Sequence, residues 1–314
     1  MAALEQTTTS FPDVAEAIEF SHHFERDAPP AIGNRLVVAS YNIRYAVGRY
    51  LISSGLLRKA GLNPPFQRSK AVAANISKAA AAFRDGRLMP PADVVALQEA
   101  DKRTARAGGI HVAEELADQL EMIWAHAPAG IPRGVPPKKR QWWLDFEEQI
   151  GLQDTGDTGV ALLSRLPLKE VERIDLPWHE CAWRPRLALG ATVSVGGTEL
   201  RLFNAHIDPH PDAKGALEQL ETVVAQAGKN FGPTVVVGDF NTLSKQKCLD
   251  ARGLLEACGY STPFQTGTDT WRGAALRFHA DWIFGRGIQF KRHGVCRPLN
   301  VSDHWPVWAE VEIG

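Results

Sequence analysis

Along this chain of 314 residues, a carboxylate, an amide or an imidazole recurs just after one apolar run after another. Asn42 follows Val-Val-Ala-Ser-Tyr, Glu99 follows Val-Val-Ala-Leu-Gln, and His206 ends Arg-Leu-Phe-Asn-Ala. Asp239 and Asn241 follow Val-Val-Val-Gly, and Asp303 and His304 precede the last apolar run. One such residue is an ordinary turn or cap, because Asn and Asp readily bond their own backbone. Five in succession ask for another cause. Loops at strand ends gather along one edge of a sheet and can converge there.

The residue types suit one chemistry. Hydrolysis of a phosphate ester needs a positioned nucleophile, neutralised non-bridging charge and a stabilised leaving oxygen. Glu99, with oxygen ligands from Asn42 and Asp303, could hold a hard cation such as Mg²⁺, which keeps several waters of its own. Scattered single ligands suffice for that ion, unlike the clustered Cys/His spacing of zinc sites. His206, Asn241 and His304 could donate hydrogen bonds to phosphate oxygens. A rival reading takes His206, Asp208, His210 and Asp212 as metal ligands at every second position, since alternate strand residues share a face. Pro209 and Pro211 deny ladder donors and end the strand there. His206 is therefore read as a lone phosphate contact, and the others as loop or helix N-terminus.

These residues need elements to position them. Short runs rich in Val, Ile and Leu, bordered by Gly, Pro and Asp, predict strands at 36–41, 93–98, 160–164, 187–195, 199–206, 234–238, 281–284 and 305–313. Between them, apolar residues at helical spacing predict helices at 68–83, 111–123, 214–226 and 249–258. This alternation implies an α/β layered domain over residues 35–314. Residues 1–34 read as an N-terminal extension, with a short helix opened by Ser10 and Pro12, running through Val14, Ile18 and Phe24, and ended by Pro29 and Pro30. Two long loops, 46–65 and 128–157, are either binding or lid segments or surface insertions whose tryptophans pack down.

Composition narrows the class. Hydrophobic residues make up 44% and charged residues 23%, a globular balance. The net charge of −1 excludes a protein that coats nucleic acid through a general basic surface, so any phosphate binding is local. Cys181, Cys248, Cys258 and Cys296 form no C-x-x-C pair and read as reduced thiols. No secretory signal and no bilayer-length apolar run is visible, so a soluble, cytoplasmic protein is expected. Trp178, His179, Trp183, Arg184 and Arg186 mix aromatic and basic character that could stack on bases and hold phosphates. Packed indoles with a charged rim are the favoured alternative. Asp154 and Asp157 read as turn residues.

Seven segments carry a family resemblance. They are Ser-Tyr-Asn-Ile-Arg (40–44), Leu-Gln-Glu (97–99), Gly-Val-Ala-Leu-Leu-Ser-Arg-Leu-Pro-Leu (159–168), Asn-Ala-His-Ile-Asp (204–208), Gly-Asp-Phe-Asn-Thr (238–242), His-Ala-Asp-Trp-Ile-Phe (279–284) and Ser-Asp-His-Trp-Pro-Val (302–307). In this order the chain resembles the endonuclease/exonuclease/phosphatase superfamily, with its deoxyribonuclease-I-like fold. The resemblance implies a four-layer α/β sandwich, two central mixed sheets flanked by helices, and dependence on Mg²⁺ or Mn²⁺. It implies that Asn42 and Glu99 help bind the metal, with Asp303 beside the metal or water. Asp239 would orient or deprotonate the attacking water, and Asn241 and His206 would contact the phosphate. His304 would act as base or transition-state stabiliser, held in its tautomer by Asp281. Whether Asp239 or His304 is the base stays open.

The substrate is less determined than the chemistry. Shared motifs report on the phosphate and not on the group it carries. The superfamily's abasic-site endonucleases carry an active-site Tyr between the Glu and His motifs, and this chain has no Tyr between Tyr50 and Tyr260. The expectation is a nuclease-like phosphodiesterase using in-line attack of water, its partner a phosphate ester that nucleic acid could supply. A phosphomonoesterase or a phospholipid or inositol-phosphate phosphatase is the alternative, and a catalytically silent binding module the third reading.

Overall fold

The computed structural model describes residues 17–21, 33–48, 65–131, 150–178, 184–209, 213–229, 231–273 and 275–314. In chain order its strands are β1 (Glu19–Phe20), β2 (Arg35–Asn42), β3 (Val94–Gln98), β4 (Ile123–Pro128), β5 (Gly159–Ser164), β6 (Lys169–Asp175) and β7 (Leu187–Val195). They continue with β8 (Thr198–His206), β9 (Thr234–Asp239), β10 (Trp271–Gly273), β11 (Leu276–Phe278), β12 (Asp281–Arg286), β13 (Ile288–Val295) and β14 (Val307–Ile313). The helices are α1 (Pro65–Arg84), α2 (Val112–Leu120), α3 (Ala213–Ala227) and α4 (Lys245–Ala257).

A seven-stranded sheet runs in the order β1-β4-β5-β3-β2-β14-β13, and a five-stranded sheet in the order β12-β9-β8-β7-β6. Each is mixed: β2 pairs parallel with β3, and β8 with β9, while their other neighbours are antiparallel. Successive side chains of a strand point to opposite faces. Leu36 and Val38 accordingly join Val94, Ala96, Leu189, Val235, Val237 and Ile283 in the core between the sheets. Val37, Ala39 and Tyr41 point outward onto Val72, Ile76 and Phe83 of α1 and Leu116 of α2. On the far side Phe203, Val236, Trp282 and Phe284 meet Leu220 and Val223 of α3 and Leu255 of α4. Helices, sheet, sheet, helices: the architecture is the four-layer α/β sandwich. Burial on both faces explains why the central strands read as unbroken apolar runs.

The structure corrects several boundaries. The helix expected at 111–123 stops at Leu120, because Glu121 takes a left-handed φ of 56° and caps it, which frees Ile123 to open β4. β4, β6, β10, β11 and β13 were not anticipated. The sequences of β6 and β13, Lys-Glu-Val-Glu-Arg-Ile-Asp and Ile-Gln-Phe-Lys-Arg-His-Gly-Val, are polar because both are edge strands. Ile18 belongs to no helix: Glu19 and Phe20 add an edge strand to β4, whereas Val14 and Phe24 lie outside the described residues. Most of both long loops, 49–64 and 132–149, also lies outside them. Among the described residues no helix is long and apolar enough to cross a membrane, and Cys248, Cys258 and Cys296 are free thiols.

Candidate active site

The registry of the two sheets lines up the polar strand ends. His206 pairs with Asp239 across β8 and β9, and Asp281 pairs with Asp239 across β9 and β12, so the three form one row. In the other sheet Asn42 pairs with Gln98, the residue before Glu99. The two ends are tied by buried amides: Gln98 Nε2 donates to Asn204 Oδ1 at 2.6 Å, and Asn204 Nδ2 donates to the carbonyls of Leu97 and Ala161, each at 2.8 Å. Gly238 lets β9 reach this row. Its φ is +145°, and a Cβ there would lie 1.9 Å from the carbonyl oxygen of Ala205. Glu99 and Asn241 carry positive φ values of 52° and 50°, a strain that is concentrated at functional sites.

Asp281 and His304 form the tightest pair. His304 Nδ1 donates to Asp281, 2.9 Å from Oδ2 and 3.1 Å from Oδ1. The Thr270 hydroxyl accepts from the backbone N–H groups of Ala280 and Asp281, at 2.9 Å each, and holds the start of β12. His304 Nε2 lies 3.8 Å from Asp239 Oδ2. Burial alone would lower the His304 imidazole, but the carboxylates of Asp281 and Asp239 outweigh it and raise it to about 10. Burial raises Asp239 to about 7, with Asp281 adding repulsion and His304, Asn42 and the Asn241 N–H opposing.

Asp239 is gripped from two sides. Asn42 Nδ2 donates to its Oδ2 and the Asn241 backbone N–H to its Oδ1, both at 2.9 Å. Asn241 Nδ2 donates to the carbonyl of Ile207 at 2.8 Å and so joins the loops after β8 and β9. Ser302 links the last motif to the first, its hydroxyl donating to the Asn42 carbonyl at 2.8 Å.

Two arginines enter this site. Arg184 Nη2 lies 2.9 Å from Glu99 Oε1, and Arg186 Nη1 lies 2.7 Å from His206 Nε2. Both are buried, at 2% and 4% exposure, so the charged-rim reading of these residues gives way to a place inside the cleft. His179 and Trp183 lie outside the described residues. Burial, followed by the nearby charges of Arg186 and Arg184, keeps His206 well below the usual imidazole range and therefore neutral. A small pocket of about 10 Å³, partly open to solvent, is lined by Arg184, Arg186, His206 and residues 158–160. On the opposite side Asp303 meets Arg44 Nη1 at 3.4 Å and accepts from Trp271 Nε1 at 3.1 Å. Burial works against its ionisation, but Arg44 and His304 hold its carboxyl below the usual range.

The eight expected residues thus meet at one end of the two sheets, though not in equal contact. Asp239, Asp281 and His304 offer ligand atoms within 4.8 Å of one another. Glu99 reaches His206 Nε2 at 3.8 Å, while Asp303 belongs to the Arg44–Trp271 side. The donor chemistry fits a hard dication: carboxylate oxygens on Glu99 and Asp303 and an amide oxygen on Asn42, with arginines favouring the charged carboxylates. Asn42 Oδ1 already accepts from the Arg44 N–H at 3.0 Å, and an amide oxygen has a second lone pair to give. Thr270, Ser302 and Trp271 were not assigned roles from sequence. For Thr270 no signal existed, and Ser302 lay inside a quoted motif without a role, since the value of both lies in hydrogen bonds between distant segments.

Asp154 and Asp157 bond loop N–H groups, as turn residues do. A comparison with known families then decides the lineage: the Endonuclease/Exonuclease/phosphatase family matches residues 39–304. The chain belongs to that family. Members of the endonuclease/exonuclease/phosphatase family are phosphoester hydrolases. Among solved structures, one similar protein is an endonuclease/exonuclease/phosphatase from Beutenbergia cavernae, at 18% identity and a TM-score of 0.60, covering 89% of this chain and 72% of that one. Another is ANGEL2, a 2',3'-cyclic phosphatase in complex with adenosine-2',3'-vanadate, at 15% identity and 0.58, covering 95% and 98%. A third is D. rerio TDP2 complexed with single strand DNA product, at 16% identity and 0.55, covering 88% and 99%. At these identities the likeness is one of fold. No curated protein matches the chain.

Proposed function

We propose that this member of the endonuclease/exonuclease/phosphatase family is a divalent-metal-dependent phosphodiesterase of nuclease-like type. The observation that carries the reading is the row Asp239–Asp281–His304, with an acceptor raised to about 7 beside an imidazole raised to about 10. With the His304 imidazole held in its charged form by Asp281 and Asp239, Asp239 is read as the base and His304 as the group that stabilises the phosphoryl charge. In the proposed step a water attacks phosphorus in line with the ester oxygen, its proton passes to an oxygen of Asp239, and the P–O bond to the ester oxygen breaks as the new one forms, the departing oxygen taking a proton from solvent. His304, aligned by Asp281, donates a hydrogen bond to the negative charge that grows on the phosphoryl oxygens. Arg184 and Arg186 neutralise phosphate charge from the cleft side. Mg²⁺ or Mn²⁺ held by Glu99, Asn42 and Asp303 would supply charge neutralisation for the phosphoryl and leaving oxygens. The single-stranded DNA product in the TDP2 structure supports a diester substrate.

Hydrolysis of a phosphomonoester is the second reading. It is favoured by the two buried arginines, which suit the extra charge of a terminal phosphate. Chromogenic phosphodiester and phosphomonoester substrates, compared under Mg²⁺ and Mn²⁺, separate the two. We expect the diester to be preferred by kcat/KM, and preference for the monoester would sink the nuclease-like reading.

A further inference from the structure

A second group of metal-capable side chains lies away from the strand-end site, at the outer edge of the seven-stranded sheet. Glu19, His111 and His126 each place one ligand atom within 4.8 Å of the others. Glu19 on β1 is the direct register partner of His126 on β4, and His111 is the N-cap of α2. Glu19 Oε2 and His111 Nε2 are 3.3 Å apart, and the two imidazoles meet edge-on at 5.0 Å between centroids. The N-terminal edge strand here meets the start of α2 and the strand that follows it.

The state of His126 is the independent sign of a ligand. The side chain is fully buried, and its Nε2 donates to the Ala100 carbonyl at 2.8 Å. That leaves Nδ1 as the nitrogen it can offer, and Nδ1 is buried with no hydrogen-bond partner among the described residues. A buried lone pair without a donor is costly. An imidazole whose other N–H is fixed by a backbone carbonyl is the arrangement that orients a metal-ligating histidine.

We propose that Glu19, His111 and His126 form a second metal site for a transition dication of the zinc class, one that fastens the N-terminal edge strand to the domain. Two imidazoles and one carboxylate, with water completing four-coordination, suit zinc better than magnesium. Tetrahedral bonds of about 2.0–2.1 Å set neighbouring ligand atoms about 3.3–3.4 Å apart, which is the spacing between Glu19 Oε2 and His111 Nε2. Lys102 pairs with Oε1 of Glu19, and Oε2 is the oxygen turned toward His111. Coordination through His111 Nε2 moves its proton to Nδ1 and gives up the 3.2 Å cap contact from the Glu114 N–H, which the metal bonds outweigh.

The test uses the full chain, stripped with chelator and titrated with Zn²⁺ by calorimetry and with Co²⁺, whose visible absorption reports four-coordination. A Glu99→Gln, Asp239→Asn background removes the strand-end site from the count. One equivalent is expected to bind in that background, about tenfold or more weaker after Glu19→Gln and lost after His126→Gln. Zn²⁺ should also protect the chain before residue 33 from proteolysis in the wild type and not in Glu19→Gln. Glu19 is on a two-residue edge strand with its side chain 35% exposed, so Glu19→Gln decides the matter if His126→Gln does not fold. Absence of any equivalent in the background variant, or unchanged affinity in Glu19→Gln, overturns the site.

Discussion

Asp239 has neighbours that push its proton affinity in opposite directions, and the balance makes it useful. Burial and Asp281 raise its carboxyl while His304 lowers it, and the result lies at about 7. His304 is lifted to about 10 by the same two carboxylates. The proposed reaction needs Asp239 ionised and His304 charged, so kcat/KM should rise with pH through about 7 and fall only above about 10. A dication beside these carboxylates moves the lower inflexion down. Asp239→Asn should cost roughly 10²–10⁴ in kcat and remove the lower limb. Asp281→Asn takes away the main support of the imidazolium, so its upper limb should move from about 10 toward the ordinary imidazole value. A pH–rate profile in which Asp281→Asn lowers the rate but leaves the upper limb in place would count against this role. The neighbourhood of Asp281 and His304 was legible from the motifs alone. The burial of Arg184 and Arg186 was not, because an arginine reads as a rim charge until the carboxylate or imidazole it meets is known, and here those partners come from other strands.

At the scale of elements, the layer under α3 and α4 carries its own pH response. His279 stacks flat on Trp282 at 3.6 Å between ring centroids and is buried. Burial lowers it to about 3. The folded chain therefore prefers the neutral ring. Its stability is whole above the unfolded imidazole value near 6.5, and falls as pH drops from there toward about 3. His279→Phe should keep the stack and reduce the fall in Tm between pH 6.5 and 4, and an unchanged slope would contradict the assignment. The central strands and all four helices were legible because burial on one or both faces leaves an apolar record. The edge strands β6 and β13 were not, since they are mostly exposed or half-buried and their charges answer to solvent. β4 was hidden by a helix end: nothing in the residue type of Glu121 announces a left-handed cap.

For the whole molecule, two sheets register their polar ends side by side, and helices seal their outer faces. Chemistry is thereby confined to one edge, where loops from both sheets supply the donors. A net charge of −1 gives no long-range pull on a duplex, so under the proposed function substrate capture would fall to the local arginines and a bound dication. The family was legible because its motifs are short and sit at strand ends in fixed order, whereas the substrate was not, because the residues around the phosphate say little about what it carries. The most direct test measures phosphodiester hydrolysis under Mg²⁺ or Mn²⁺ by wild type and Asp239→Ala, each with and without excess chelator. Hydrolysis by the wild type that stops with chelator and is orders of magnitude slower in Asp239→Ala is the predicted result. Hydrolysis that persists in excess chelator, or that survives in Asp239→Ala, would contradict metal-dependent catalysis at this site.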